Sequence, residues 1–306
     1  MSQQPNDSTT VPSCTGDYCL PPRHGNVQNE EPTRVTETVS SSALHGSNNS
    51  QQHIHIEIIS DVGCPFCFLG KTQLEKALEL MGAKYFSKIE NIDSSTLVTY
   101  SMEWKPFLLN PSIPSEGQER AKFFKLKFGV EFSEEEKKNP ALLLKAMPML
   151  ARIEQLGAEL GIKTMNVANM NLPMINSLNA HRLMKLIAEK YPPRENDHQN
   201  RVSERIFRAY FEEALDVSQV PVLKQIVKDC NLEKDVPDNF FLEDPSSDDH
   251  RDPHLIQVKD EARRASFSTN GVPYFNFTNV TKGLKSNCSG AVGVQKFLKV
   301  LQSLVK

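Results

Sequence analysis

Four residues constrain this 306-residue chain more than any others: Cys64-Pro65-Phe66-Cys67. They stand where one periodicity gives way to another. Before them, His53-Ile-His-Ile-Glu-Ile-Ile-Ser60 alternates, with Ile54, Ile56 and Ile58 on one face, which predicts a strand. After them, Leu69, Leu74, Ala77, Leu78 and Met81 recur at helical spacing, and Gly82 ends the run. Two Cys two residues apart can close a disulfide, bind a metal or do neither. A CxxC between a strand and the first turn of a helix has the placement of a redox pair.

That placement carries chemical expectations. The helix N-terminus offers unpaired N–H groups and the positive end of the dipole, and both favour a thiolate. Cys64 is therefore expected to be the more exposed thiol with a depressed pKa, roughly 3.5–7.5 against about 8.5 for a free Cys. Pro65 suits the first helical turn, where its missing N–H costs nothing. Cys67 lies one turn further in and is expected to be more buried. Cys64 would form a mixed disulfide with substrate and Cys67 would resolve it. Zinc would need a second ligand pair, and Cys230 and Cys288 are single and far apart, so no metal is expected. An inert core CxxC and a site that binds a thiol cofactor are the remaining alternatives.

The rest of the chain divides by composition. Residues 1–52 are rich in Ser, Thr, Asn, Gln, Pro and His with scattered apolar residues, and read as a disordered tail. Cys14 and Cys19 in it read as incidental thiols. The start has neither the basic, apolar pattern of a secretory signal nor an acid-poor presequence. With no apolar run long enough for a membrane span, a cytoplasmic protein is expected. A formal net charge of −3 argues against nucleic acid as a partner. The ordered part is expected as 53–111, 112–252 and 253–306. The first ends in a second strand over Thr96–Leu109, closed by Asn110-Pro111. The middle carries helical apolar stripes at Glu116–Phe128, Pro140–Leu160, Pro173–Lys190, His198–Leu215 and Ser218–Cys230, with a short helix in Asn239–Asp252. The last has a helix at His254–Ser268, a strand opened by Gly271-Val272-Pro273, a weaker strand and a C-terminal amphipathic helix. A Pro that opens a strand after Gly is a candidate cis peptide, although alone it reads equally as a rigid turn.

Read together, these motifs resemble a known family. Asp61-Val-Gly-Cys-Pro-Phe-Cys-Phe-Leu-Gly70 is similar to the D-x-x-C-P-W-C-[YF]-x-G block of DsbA-like thioredoxin-domain proteins, specifically the FrnE-type oxidoreductases, with Phe66 in place of Trp. Glu103-Trp-Lys-Pro-Phe-Leu-Leu-Asn-Pro111, Asn179-Ala-His-Arg182, Ala209-Tyr-Phe211, Gly271-Val-Pro-Tyr-Phe275 and Ser289-Gly-Ala291 match further blocks in order. The resemblance implies an α/β chain: a thioredoxin fold with a large α-helical insertion. The separation of about 200 residues between Cys67 and Gly271 independently requires one. It further implies that the Gly271–Pro273 loop lies against the CxxC pair, so that Pro65, Phe66, Val272 and Pro273 contact substrate. The implied activity is thiol–disulfide exchange through Cys64 and Cys67, with no metal or organic cofactor and with glutathione as a candidate co-substrate. Kappa-class glutathione transferases and hydroxychromene-carboxylate isomerases share the fold but usually carry Ser at the Cys64 position. A glutathione-dependent transferase or isomerase is thus the alternative, and a redox-modulated chaperone a third. His181-Arg182 reads mainly as packing between the insertion and the thioredoxin part.

Overall fold

The computed structural model describes residues 51–86, 97–242, 244–245 and 252–306. Of the tail expected over 1–52, residues 1–50, with Cys14 and Cys19, lie outside them, and its end is corrected because Gln52 already pairs in the first strand.

The first strand, β1 (Gln52–Ser60), forms where the Ile alternation predicts it, with Ile54, Ile56 and Ile58 fully buried. It leads into α1 (Pro65–Leu80), which ends at Met81 as Gly82 turns left-handed at φ +69°. Then follow the two-residue β2 (Lys84–Tyr85) and β3 (Val98–Pro106). Between β3 and the next strand the chain is helical: α2 (Arg120–Phe128), α3 (Glu134–Lys138), α4 (Pro140–Ala146), α5 (Pro148–Glu159), α6 (Leu178–Lys190), α7 (His198–Phe207), a π-helical turn at Arg208–Glu212, α8 (Val220–Asp229) and α9 (Pro253–Ser268). The chain closes with β4 (Tyr274–Asn279), β5 (Leu284–Ser289) and α10 (Val294–Val305).

Five strands form one sheet in the order β2-β3-β1-β4-β5. β1 pairs parallel with β3 and antiparallel with β4, so Ile58 lies between Trp104 and Phe275. Residues more than 200 apart in sequence thus share adjacent strands. α1 and α10 pack together, and Phe297 of α10 meets Phe275 edge-on at 4.9 Å. Beyond its pairing with β2, β3 is closed by side chains. Gln199 accepts from the Trp104 N–H at 2.9 Å and donates to the Trp104 carbonyl at 3.1 Å, as a neighbouring strand would.

Several helix boundaries differ from the sequence reading. The stripe over Pro140–Leu160 breaks into two helices, because Pro148 forces Met147 out of the helical region to φ −120°, ψ 83°. The stripe at Pro173–Lys190 becomes helical only at Leu178, and that at Glu116–Phe128 only at Arg120. The one at His198–Leu215 passes from α into the π turn after Phe207. No helix forms in the described residues of Asn239–Asp252; residue 243 and residues 246–251 lie outside them. The short α3 went unread although Ser133 and Glu136 form a capping box.

Candidate active site

The strand β1 ends at Ser60, and Asp61, Val62 and Gly63 turn the chain into α1. Cys64 is the residue before the helix, with extended φ −93° and ψ 118°, and Pro65 occupies the first turn. The Cys64 N–H donates to the Asp61 carbonyl at 3.0 Å, and the Cys64 carbonyl accepts from Cys67 N–H at 3.1 Å. The turn is held from below by the Asp61 side chain. Its Oδ1 accepts from Gly63 N–H at 2.9 Å, and its Oδ2 accepts from Leu109 N–H at 2.8 Å, just past the end of β3.

Both thiols are free and close enough for Cys67 to hydrogen-bond Cys64. Here the structure corrects two expectations. Cys64 is not the exposed member: each thiol is 1% exposed. Nor is its pKa depressed. Donation of the Cys64 S–H to Cys67, burial and electrostatic repulsion from Cys67 push the Cys64 thiol well up, with a further push from Asp61. The helix-end position is as the motif implies, but the hydrogen bond to Cys67 and desolvation outweigh it in the dithiol form.

The structure brings the two distant motifs together. The Val272–Pro273 bond is cis, and Val272 and Pro273 are buried. A Cβ placed on Gly70, one turn beyond Cys67, would lie 2.9 Å from Pro273 Cγ and 3.2 Å from Phe275 Cζ. The absence of a side chain at Gly70 is what lets the Gly271–Pro273 loop lie on α1. Gly63 is close-packed too, since a Cβ there would come within 3.1 Å of Ile175 from the segment before α6. Phe66 is buried at 8% exposure.

His181 and Arg182 separate in role. Arg182 is fully buried and structural. Its guanidinium donates to both Asp252 oxygens at 3.1 and 2.6 Å, to Asn179 Oδ1 at 2.7 Å and to the Phe240 carbonyl at 2.9 Å. It thereby ties α6 to Asp252, the cap of α9. His181 turns instead toward the thiol turn, with Nε2 3.9 Å from Asp61 Oδ1. Burial alone would raise the Asp61 carboxyl. The His181 imidazole and the Gly63 and Leu109 N–H groups reverse this and hold it below the usual carboxylate range. Asp61 as a buried partner of the thiol turn was not singled out from sequence. The available signal was a carboxylate three residues before Cys64 at a strand end. Its pairing with His181, 120 positions away, left no local trace.

Cys230 sits at the end of α8 and Cys288 in β5, both buried, and burial raises both thiols. Among the described residues no group of three or more His, Cys, Asp or Glu is arranged to hold a metal ion. None of their helices is long and apolar enough to cross a membrane. A cavity of about 470 Å³ opens on polar residues of the sheet such as His55, Glu103 and Asn276, and neither Cys lines it.

Residues 55–302 match the DSBA-like thioredoxin domain family. The chain belongs to that family. Membership indicates thiol–disulfide oxidoreductase activity, on thiol or disulfide substrates. Among solved structures, this DSBA-like chain is similar to a probable DsbA oxidoreductase from Streptomyces coelicolor, at 20% identity and TM-score 0.56 over 82% of this chain and 90% of that one. It is more distantly similar to the cytosolic disulfide reductase DsbM from Pseudomonas aeruginosa, solved with GSH, at 13% identity and TM-score 0.45 over 81% and 98% of the two chains. A 2-hydroxychromene-2-carboxylate isomerase follows at 13% identity and TM-score 0.44, over 81% and 93%. No curated protein matches the chain by sequence.

Proposed function

We propose that Cys64 and Cys67 form a dithiol/disulfide couple that exchanges with thiol and disulfide substrates, Cys64 making the mixed disulfide and Cys67 resolving it. The observation that carries this reading is the pair itself. Two free thiols lie within hydrogen-bonding reach at the first turn of α1, and the Gly271–Pro273 loop packs on the same helix. A second thiol at this distance has no task in a glutathione-dependent transferase or isomerase, whereas a resolving thiol requires it. On this reading Pro65, Phe66, Val272 and Pro273 form the surface on which substrate lies once the site opens, and no metal or bound cofactor takes part. Glutathione enters only as a thiol co-substrate.

Two variants test the assignment. Cys67→Ser should attack but not resolve, so mixed disulfides accumulate and turnover with a dithiol reductant falls sharply. Cys64→Ser should abolish both steps. Full turnover by Cys67→Ser, with no trapped mixed disulfide, would overturn the dithiol reading in favour of transferase chemistry.

A further inference from the structure

The polar face of the sheet carries a cavity that thiol exchange does not use. It holds about 470 Å³, a size typical of small-ligand sites, and no Cys lines it. We propose that this cavity binds a short free peptide, a dipeptide or tripeptide in its zwitterionic form. The peptide ammonium lies on Glu57, and the peptide carboxylate on Lys285 and Arg194.

The strand registers set the charges out in two rungs. Glu103, Glu57, Asn276 and Asn287 stand side by side across β3, β1, β4 and β5. One same-face step along the strands, Ser101, His55, Thr278 and Lys285 do the same. Arg194, from the loop between α6 and α7, lines the same cavity and acts electrostatically on His53, two residues before His55. The carboxylates are thus confined to the first rung, and the lysine to the second. Neighbouring rungs on one face are about 7 Å apart, at about 3.4 Å per residue. A dipeptide extended at about 3.5 Å per residue spans that step, and a free amino acid does not.

Opposite charges line this cavity without neutralising one another. Among the described residues Glu57 makes no ion pair; its Oε1 accepts from Asn276 Nδ2 at 3.1 Å, and its Oε2 carries no hydrogen bond. Lys285 and Arg194 have neither a hydrogen bond nor an ion pair through their side chains among those residues. The groups beside them are engaged. Lys105, within electrostatic reach of Glu57, pairs with Glu103 at 2.5 Å. His55 is buried, with Nδ1 3.0 Å from Ser101 Oγ and Nε2 3.3 Å from Glu103 Oε2. The His55 hydrogen bond, and after it Lys105, hold the Glu103 carboxyl down at about 2 against burial. A simple anion entering here would meet Glu57 and Glu103, and a simple cation would meet Lys285 and Arg194. A zwitterion satisfies both ends with charge-assisted hydrogen bonds. The Asn287 amide and the Thr278 hydroxyl also line the cavity, without side-chain hydrogen bonds among the described residues, and are free to bond a peptide group.

The test is calorimetric titration of the full-length chain at low salt with L-alanyl-L-alanine, beside its N-acetyl form, its C-terminal amide and free alanine. The free dipeptide should bind at one site. Each of the other three should bind at least about tenfold more weakly, since each lacks one charged hydrogen bond or the reach between the rungs. Glu57→Gln should weaken the free dipeptide about tenfold and leave the acetylated one unchanged. Lys285→Gln should weaken the free dipeptide to a similar degree and leave the amide unchanged. Equal affinity for free and blocked dipeptides, no saturable binding by the wild-type chain, or folded variants that bind as the wild type does would each overturn the proposal. Free alanine binding as tightly as the dipeptide would overturn the assignment to peptides. Should a variant unfold, the blocked dipeptides on the wild-type chain decide alone. Cys64→Ser should bind the free dipeptide unchanged, whatever becomes of thiol exchange; lost binding there would put the peptide at the thiols and refute this cavity.

Discussion

Single residues here are ruled by burial more than by their place on an element. Cys64 occupies a helix start that favours a thiolate, yet desolvation and Cys67 move it the other way. His53 shows the same competition in a form that titrates. Burial, with the like charges of His55 and Arg194, brings its pKa from 6.5 down to about 4. The unfolded ring takes up a proton near 6.5 and the folded ring only near 4. The stabilisation from the neutral ring is therefore complete above pH 6.5 and is lost as pH falls toward 4. Melting temperatures should fall over that interval, and His53→Gln should show a shallower decline; an equal decline would show that another group is responsible. Arg182 gives a second residue-scale prediction. Removing a fully buried guanidinium leaves Asp252 without its main partner, so Arg182→Ala should cost about 3 kcal/mol or more in chemical denaturation. Arg182→Lys should not restore it, since one ammonium cannot replace the fork that reaches Asp252, Asn179 and Phe240 together. A loss below about 1 kcal/mol for Arg182→Ala would contradict this role. The thiols and their spacing were legible in the sequence. Their burial, the Asp61–His181 approach and the Arg182 network were not, because each depends on side chains that only the folded chain brings together.

At the scale of elements, α1 and the Gly271–Pro273 loop are fitted to one another through Gly70. The missing Cβ there leaves no slack, with Pro273 Cγ at 2.9 Å and Phe275 Cζ at 3.2 Å from where it would stand. Gly70→Ala should push the helix off the loop and cost about 1–3 kcal/mol, as overpacking of a filled core does. Because the loop faces the helix that carries both thiols, exchange should slow in the same variant. Unchanged stability in urea would show that the loop yields freely. Elements were readable where one period ran uninterrupted, as in β1 with its three buried Ile. They were misread where a local signal overrode the period. Pro148 broke one apparent helix because the residue before a proline avoids the helical region. β2 is two residues long, too short to show any period.

Across the whole molecule, strands from the two ends of the described chain form the centre of one sheet, with most of the helices between them in sequence. The long separation of the two motifs predicts such an insertion, and the family blocks follow one another in the order the structure uses. The antiparallel pairing of β1 with β4, with Ile58 opposite Phe275, was not legible, because strand alternation carries no information on partner or register. That pairing sets the loop before β4 near the turn after β1, and so assembles the site at one end of the sheet from distant parts of the chain. The most direct test of the central claim is to equilibrate the full-length chain with glutathione redox buffers, quench with acid, label the free thiols and map them by mass. The account predicts that Cys64 and Cys67 lose their thiols together, as a single two-electron couple ending in an internal disulfide. A Cys64–glutathione adduct that persists while Cys67 stays free would contradict it.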